Sequence, residues 1–485
     1  MEIKEKLIGI VGAKYFSDAP QVLKPYSKDY SVCLPGMPNY LVRPKNVEEI
    51  QRVVKVANEC RMPVVPCSSG IHFNGNTILT QGGIMLDLSR MDKILDVDEG
   101  NRKARLAPGV TWSQLQVELE KHDLMALIPL LVHPLKSALA SHLEREPMLI
   151  PKFEYADPLL TMEVILPNGD LFRTGSACMP GAPTQSVADG VQPEGPGLDW
   201  WRLFQGAQGT MGVVTWANVK VEYKPKVNKT FFIPFQRIKD AIEPIYRLQR
   251  RMIGQECLLL NNFNLAAILA EKWPEDFEAL RETLPPWTVI LVLAGGLRRP
   301  EEKIEYEEEA LREICSQLSI SDILLALPGA SGVEKWLPEA LRKPWPKGKT
   351  YWKFCYKGSC QDLFFHTTLN RTPEFTKAIA EAVVKHRYPP DDVGLYLQPL
   401  EQARACHYEC NFYYNPDDAE DVERIRNLFA DTAETLLDMG AFFTRPYGPI
   451  AEMVYQRAAG YTMALRKVKA LLDPNNVMSP GRLCF

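Results

Sequence analysis

The chain has 485 residues, 46% of them hydrophobic, with a formal net charge of −4. That length suits two or three domains around a sizeable core, and the slight acidity offers no basic face for nucleic acid or an anionic membrane. No run reaches the ~18 apolar residues of a membrane span, and the opening MEIKEKLIGIVGAKYF is broken by Gly9 and Gly12 before a signal core forms, so a cytoplasmic protein is expected.

Residues 1–36 read as a helical lead-in with a turn at Ser17-Asp18-Ala19-Pro20. A small α/β unit is expected from about 37 to 90. Its first part, YLVRPKNVEEIQRVVKVANECRMP, reads as strand, turn and amphipathic helix, with Ile50, Val53, Val54, Val56 and Ala57 at helical spacing. Val64 and Val65 then form a short buried strand that Pro66 ends. Cys67 to Asn76 are mostly small or turn-forming residues, with glycines at 70 and 75. Such a loop either turns its N–H groups inward as a phosphate nest or simply joins two strands. It is neither GxGxxG nor a P-loop. Gly70 is expected to need a backbone conformation open mainly to glycine.

A second α/β unit is expected from Ile94 to about Tyr223. TMEVILPNGDLFRTG is a hairpin turning at Pro167-Asn168-Gly169-Asp170. Residues 176–200 form a long Pro/Gly-rich loop, functional or a partner contact. In GAQGTMGVVTWANVKV, Gly206, Gly209 and Gly212 allow close passage before a strand at Val213–Thr215. That serves a ligand or an ordinary glycine turn.

Composition changes after Lys224-Pro225-Lys226. Helical patterns such as RIKDAIEPIYRLQRRMI alternate with strands such as WTVILVLAGG, an α+β domain; Glu301 to Glu309 reads as a solvated helix face. In HYECNFYY, His407, Glu409, Asn411 and Tyr413 share one strand face, and Tyr408, Cys410, Phe412 and Tyr414 the other. The polar face either meets solvent or lines a cavity, where His407 suits a proton acceptor and Arg404 a carboxylate partner. Arg445 in FFTRPYG is either a functional cation or a structural arginine. The eleven cysteines are scattered and lack CxxC spacing, so reduced thiols and no metal site are expected.

The 64–76 loop stands between YLVRPKNVEEIQRVVKVANECRMP and the strands and helix of GGIMLDLSRMDKILDVDEGNRKARLAPGVTWSQLQVELEKHDL, with LFQGAQGTMGVVTWANVKV far downstream and LLDPNNVMSPGRLCF at the end. This order resembles the vanillyl-alcohol oxidase/p-cresol methylhydroxylase flavoproteins with a PCMH-type FAD domain. LKPYSKDYS resembles the opening of the FAD-linked 2-hydroxyacid dehydrogenases of that superfamily. The resemblance implies an α+β fold: a PCMH-type FAD-binding domain of two α/β subdomains (1–225), an α+β cap or substrate domain (226–441), and a C-terminal segment (442–485) returning to the FAD domain. It also implies FAD held by Pro66, Ser68, Ser69, Gly70, Ile71, His72 and Asn74, by Ser137, Ser141 and His142, and by Gly209, Gly212 and Val214. Ser141-His142 stands where the family tends to have Gly-Asn. Some members attach the flavin through a loop histidine. Anchoring on Gly75 puts Ile71, not His72, at that position, so non-covalent FAD is expected.

The implied activity is oxidation of a 2-hydroxy acid or alcohol by hydride transfer to FAD. His407, Glu409, Tyr413 and Arg445 are the catalytic candidates, and Arg404, Asn411 and Tyr447 the substrate-binding ones. The phenol-oxidising members carry a Tyr-Arg pair. Here Thr444 precedes Arg445, and Tyr447 follows two residues later. A para-alkyl or hydroxybenzyl phenol is the alternative substrate, and a non-catalytic assembly subunit the alternative role. The dehydrogenases' His-rich metal pattern is not reproduced. An electron-accepting protein subunit and a homo- or hetero-oligomer are implied partners.

Overall fold

The computed structural model describes residues 2–149, 158–179 and 190–485. The middle of the Pro/Gly-rich 176–200 loop therefore lies outside the described residues.

The first sheet runs in the order Phe16–Ser17, Tyr40–Val42, Ile84–Asp87, Val64–Cys67. Its last three strands are parallel, which explains why IMLD is buried along its whole length. The crossover helix Val47–Glu59 starts where the Asn46 side chain accepts the Glu49 N–H. Its apolar stripe, Ile50, Val53, Val54 and Ala57, is fully buried.

The second sheet is antiparallel where an α/β unit was expected. Its order is Ile94–Asp98, Lys103–Leu106, Val213–Tyr223, Leu159–Ile165, Leu171–Arg173, with Leu124–Ala126 also on Val213–Tyr223. The expected hairpin pairs Glu163 with Arg173 and Ile165 with Leu171. Short turns join Ile94–Asp98 to Lys103–Leu106 and Leu159–Ile165 to Leu171–Arg173, and a tight turn reverses the chain, so these pairs are antiparallel.

The third sheet has six antiparallel strands: Val227–Phe235, Trp287–Gly295, Glu256–Asn261, Val393–Leu400, Ala405–Tyr414, Ser359–Thr367. Tyr408, Cys410, Phe412 and Tyr414 join one core with the helices Thr372–Lys385 and Ala419–Asp438. Tyr413 and Tyr396 join a separate core on the opposite face, with Asn262–Leu269. Both faces are covered, so the polar face of 407–413 does not meet solvent. One acidic residue also departs from expectation. Glu307 is buried, pairs with Lys303 and accepts the Gly254 N–H.

The C-terminal segment returns to the first sheet. Met478 bridges Val64 in parallel. The Val64 N–H donates to Val477 O at 2.7 Å and the Ser479 N–H to Val64 O at 2.9 Å. No helix of the described residues is long and apolar enough to cross a membrane.

Candidate functional site

Two neighbouring cavities define the site. The first lies between the 66–77 loop, the helix Ala138–Leu143 and the glycine turn at 206–212. Pro66, Ser68, His72, Gly209, Gly212 and Val214 line it, as does Tyr447. Gly209 has φ +75°, and a Cβ there would fall 2.8 Å from Pro66 Cγ and from Ser479 Oγ. Three distant pieces of chain thus meet on one glycine. Ser479 is fully buried and its hydroxyl has no partner.

Other residues of the expected set sit differently. Ser69 is buried and its hydroxyl accepts the Ile71 N–H at 3.3 Å. Gly70 is exposed, its φ is not left-handed, and a Cβ there would meet nothing within 4 Å. The conformational demand expected at 70 falls on Gly75, at φ +75°, whose N–H donates to Asp29. His72 points its Nε2 at Ser69 O and Cys67 Sγ.

The 137–143 stretch is a helix, not a loop running past the cavity, and that changes which residues face it. Ser137 is its N-cap, accepting the Ala140 N–H and donating to Pro108 O. Ser141 accepts the Trp112 indole N–H at 3.0 Å. His142 is buried edge-on against Trp112, with both ring nitrogens unpartnered. None of these three lines either cavity. Leu139, Ala140, Leu143 and Glu144 line the first instead, as helical spacing of three and four dictates.

The second cavity lies under the third sheet. Asn74, Lys136, Glu146, Lys353, Asp362, Glu409 and Arg445 line it, with the aromatic rings of Phe73, Tyr351, Trp352, Phe364 and Tyr396. Lys353 donates to Asp362 Oδ2 and to Glu409 Oε1, each at 2.7 Å. Burial opposes its charge, but the two carboxylates outweigh that and raise its pKa well above the usual value. Lys136 pairs with Glu144 at 3.1 Å and with Glu146. Arg445 differs. It is 6% exposed, its guanidinium lies 3.9 Å from the Phe364 ring centroid, and its Nε has no partner. No described carboxylate lies within ion-pair distance of it, though its charge reaches Glu146 and helps hold that pKa down.

Of the strand 407–413, only Glu409 reaches this cavity. His407 lies fully buried behind it, Nε2 at 3.4 Å from Glu409 Oε2. Burial holds the His407 pKa down. Asn411 donates to Asp362 Oδ1 at 2.6 Å and to Glu409 Oε1 at 2.8 Å. The Tyr413 hydroxyl donates to Asn264, away from the cavity. Arg404 is exposed in the turn before the strand and lines neither cavity, because the chain turns there before pairing begins. Lys136, Lys353, Asp362 and Glu146 were missed. For Lys353 and Asp362 the signal was a lone charge beside apolar residues, Trp352-Lys353-Phe354 and Asp362-Leu363-Phe364; Glu146, in the charged stretch Glu144-Arg145-Glu146, carried no such signal.

The first cavity suits FAD. Gly209 and Gly212 let backbone come close, and Ser68, Asn76, Thr77 and Gln208 offer polar groups on its walls. Its one lining carboxylate, Glu144, shares the Lys136 ammonium with Glu146. Among the described residues no cluster could hold a metal ion.

Comparison with known proteins agrees. Residues 38–175 match the FAD binding domain family, and residues 224–483 match the FAD linked oxidases, C-terminal domain. The chain is 26% identical to glycolate oxidase subunit GlcD of Bacillus subtilis, over 99% of this chain and 96% of that protein. It is 23% identical to the 4-cresol dehydrogenase [hydroxylating] flavoprotein subunit of Pseudomonas putida, over 92% of this chain and 87% of that one. The fold is that of substrate-bound p-cresol methylhydroxylase, with a TM-score of 0.84 at 18% identity, covering 100% of this chain and 96% of that structure. With a glycine-lined cleft beside an aromatic, charged cavity and both halves of the chain matched, this protein belongs to the FAD-linked oxidases, oxidoreductases that work through FAD.

Proposed function

We propose that the chain oxidises a 2-hydroxy acid or a related alcohol, with the first cavity holding FAD and the second the substrate. Bound FAD supplies the acceptor for the hydride leaving carbon. The observation that carries the reading is Arg445: a buried guanidinium without a carboxylate partner, lining the second cavity. A buried cation left unpaired is costly unless a ligand supplies the anion. A substrate carboxylate, bonded in bidentate fashion, is that anion. Two relatives named for glycolate and D-lactate oxidation support the choice.

A para-substituted phenol is the second reading. The ring-lined cavity and the 4-cresol dehydrogenase relative favour it. In this division of labour residues 1–225 hold the cofactor, 226–441 cover the substrate, and 442–485 lock the cofactor side. The FAD is bound non-covalently, which the inward hydrogen bonds of His72 support. The protein is cytoplasmic and oligomeric, and hands electrons to a protein subunit; the relative named as a flavoprotein subunit supports that last point.

Anaerobic mixing with D- and L-2-hydroxy acids, simple alcohols and para-alkyl phenols tests the substrate. Bleaching of the flavin band by a 2-hydroxy acid is expected. Bleaching by phenols alone selects the second reading, and no bleaching by any of them sinks both.

A further inference from the structure

The second cavity holds a feature that neither the sequence reading nor the relatives' names assign. Asp362 and Glu409 stand on adjacent antiparallel strands, where Asp362 is in register with Asn411. The same ammonium, Lys353 Nζ, and the same amide, Asn411 Nδ2, bridge both carboxylates at 2.6–2.8 Å. Asn411 is itself fixed by Asn264 Nδ2 at 2.7 Å. Both carboxylates line the cavity and His407 does not.

We propose that Asp362 and Glu409 form one proton-accepting pair for the substrate hydroxyl, and that His407 is a positioning residue acting through Glu409. This rests on the reading of the second cavity as the substrate site.

Charge explains the choice. Two carboxylates and one lysine carry a net single negative charge, and taking up one proton brings the buried cluster to neutrality, which burial favours. Burial raises the Asp362 pKa against the pull of Lys353, while Lys353 and His407 hold that of Glu409 down despite burial. The two groups are therefore pushed apart, as in a pair that shares one proton. The other charges at or beside the cavity, Lys136 and Arg445 against Glu144 and Glu146, are two cations and two anions and leave this balance intact. Tyr351, Tyr396, Cys360 and Cys410 are all held neutral by burial. Arg445 reaches His407 electrostatically and opposes a proton there.

In the step, the substrate O–H bond breaks and a carboxyl O–H bond forms on the pair. The freed electron pair would close the C=O bond as the adjacent C–H is lost as hydride, for which bound FAD would supply the two-electron acceptor. Proton, hydride and electrons balance.

The test uses the FAD-loaded protein and the conservative variants Asp362→Asn, Glu409→Gln and His407→Gln, checked for flavin content. With whichever hydroxy acid or alcohol of the panel bleaches the wild type, reduction is expected to slow by ~100-fold or more in the two carboxylate variants, and the loss of rate at low pH should vanish. His407→Gln should keep that low-pH loss with a displaced midpoint. A His407→Gln profile without the loss, beside carboxylate variants that retain it, overturns the proposal. A second readout needs no substrate. Infrared difference spectra, wild type minus Asp362→Asn and wild type minus Glu409→Gln, should each carry a buried protonated-carboxyl band that titrates as one shared site and moves in His407→Gln. Two independent, ordinary titrations overturn the pair even if no compound in the panel is oxidised, an outcome that by itself defeats only the substrate reading.

Discussion

The ammonium of Lys469 donates to the carbonyl oxygen of Thr210 at 2.7 Å, tying the last helix, Ala459–Leu472, to the glycine turn of the cofactor cavity. The same nitrogen donates to Met478 O and to Asp473 Oδ2. The Asp473 carboxylate, fully buried, accepts the Val477 and Met478 N–H groups. One lysine thus fastens the tail to both the turn and the sheet edge. Lys469→Met should cost about 3–5 kcal/mol, because a buried carboxylate is left without its cation. Lys469→Met with Asp473→Asn should recover part of that, since the amide oxygen still accepts. Urea unfolding measures the energies, and flavin content should fall in step with the single variant.

Gly209 and Gly70 separate protein packing from ligand approach. Gly209→Ala places a methyl 2.8 Å from Pro66 and Ser479 at φ +75°, so both stability and flavin content should drop; strain of this kind costs ~1–3 kcal/mol. At Gly70 an added Cβ meets no protein atom within 4 Å and the position is exposed, so unfolding of flavin-free Gly70→Val should change little. A fall in FAD affinity of Gly70→Val, followed by fluorescence titration, then reports a ligand in that space. Unchanged affinity puts the phosphates elsewhere.

Arg445 sets stability against activity. A buried, unpaired guanidinium is a burden on the fold. Arg445→Met should leave the melting temperature unchanged or higher, while the half-saturating concentration of a carboxylate substrate rises at least ~10-fold, the scale of one lost charge-assisted bond. A destabilised Arg445→Met that binds substrate normally would make the residue structural.

Acid sensitivity has a named contributor. Burial depresses the His142 pKa from 6.5 to about 3. Between those values the unfolded chain binds a proton that the folded chain refuses. The stability is thus complete above pH 6.5 and is lost as pH falls toward 3. His142→Phe keeps a ring on Trp112 and removes two unpartnered nitrogens. Its urea midpoint should change less between pH 7 and pH 5 (approximate test points) than that of the wild type, whose slope from this group approaches ~1.4 kcal/mol per pH unit. Parallel pH curves for the two proteins would show that another group dominates.

The sequence by itself determined what depends on neighbours along the chain. Period two in HYECNFYY sorted its side chains into two faces, and the turn at Pro167–Asp170 made its hairpin, because strand geometry and turn chemistry are local. The order of segments around the 64–76 loop carried the resemblance to a family with an FAD fold. Tertiary structure decided what the polar face meets. A strand pattern does not say whether its second face is covered, and here the covering helix Asn262–Leu269 lies more than a hundred residues upstream. The same holds for register. Lys353, Asp362 and Glu409 come together only because Asp362 pairs with Asn411 across two strands, and a slip of one residue in either strand would turn its carboxylate to the opposite face from the other's. The helix at Ala138–Leu143 likewise turned Ser141 and His142 away from the cavity and Glu144 toward it, a choice set by packing against Trp112 and not by the small-residue composition of that stretch.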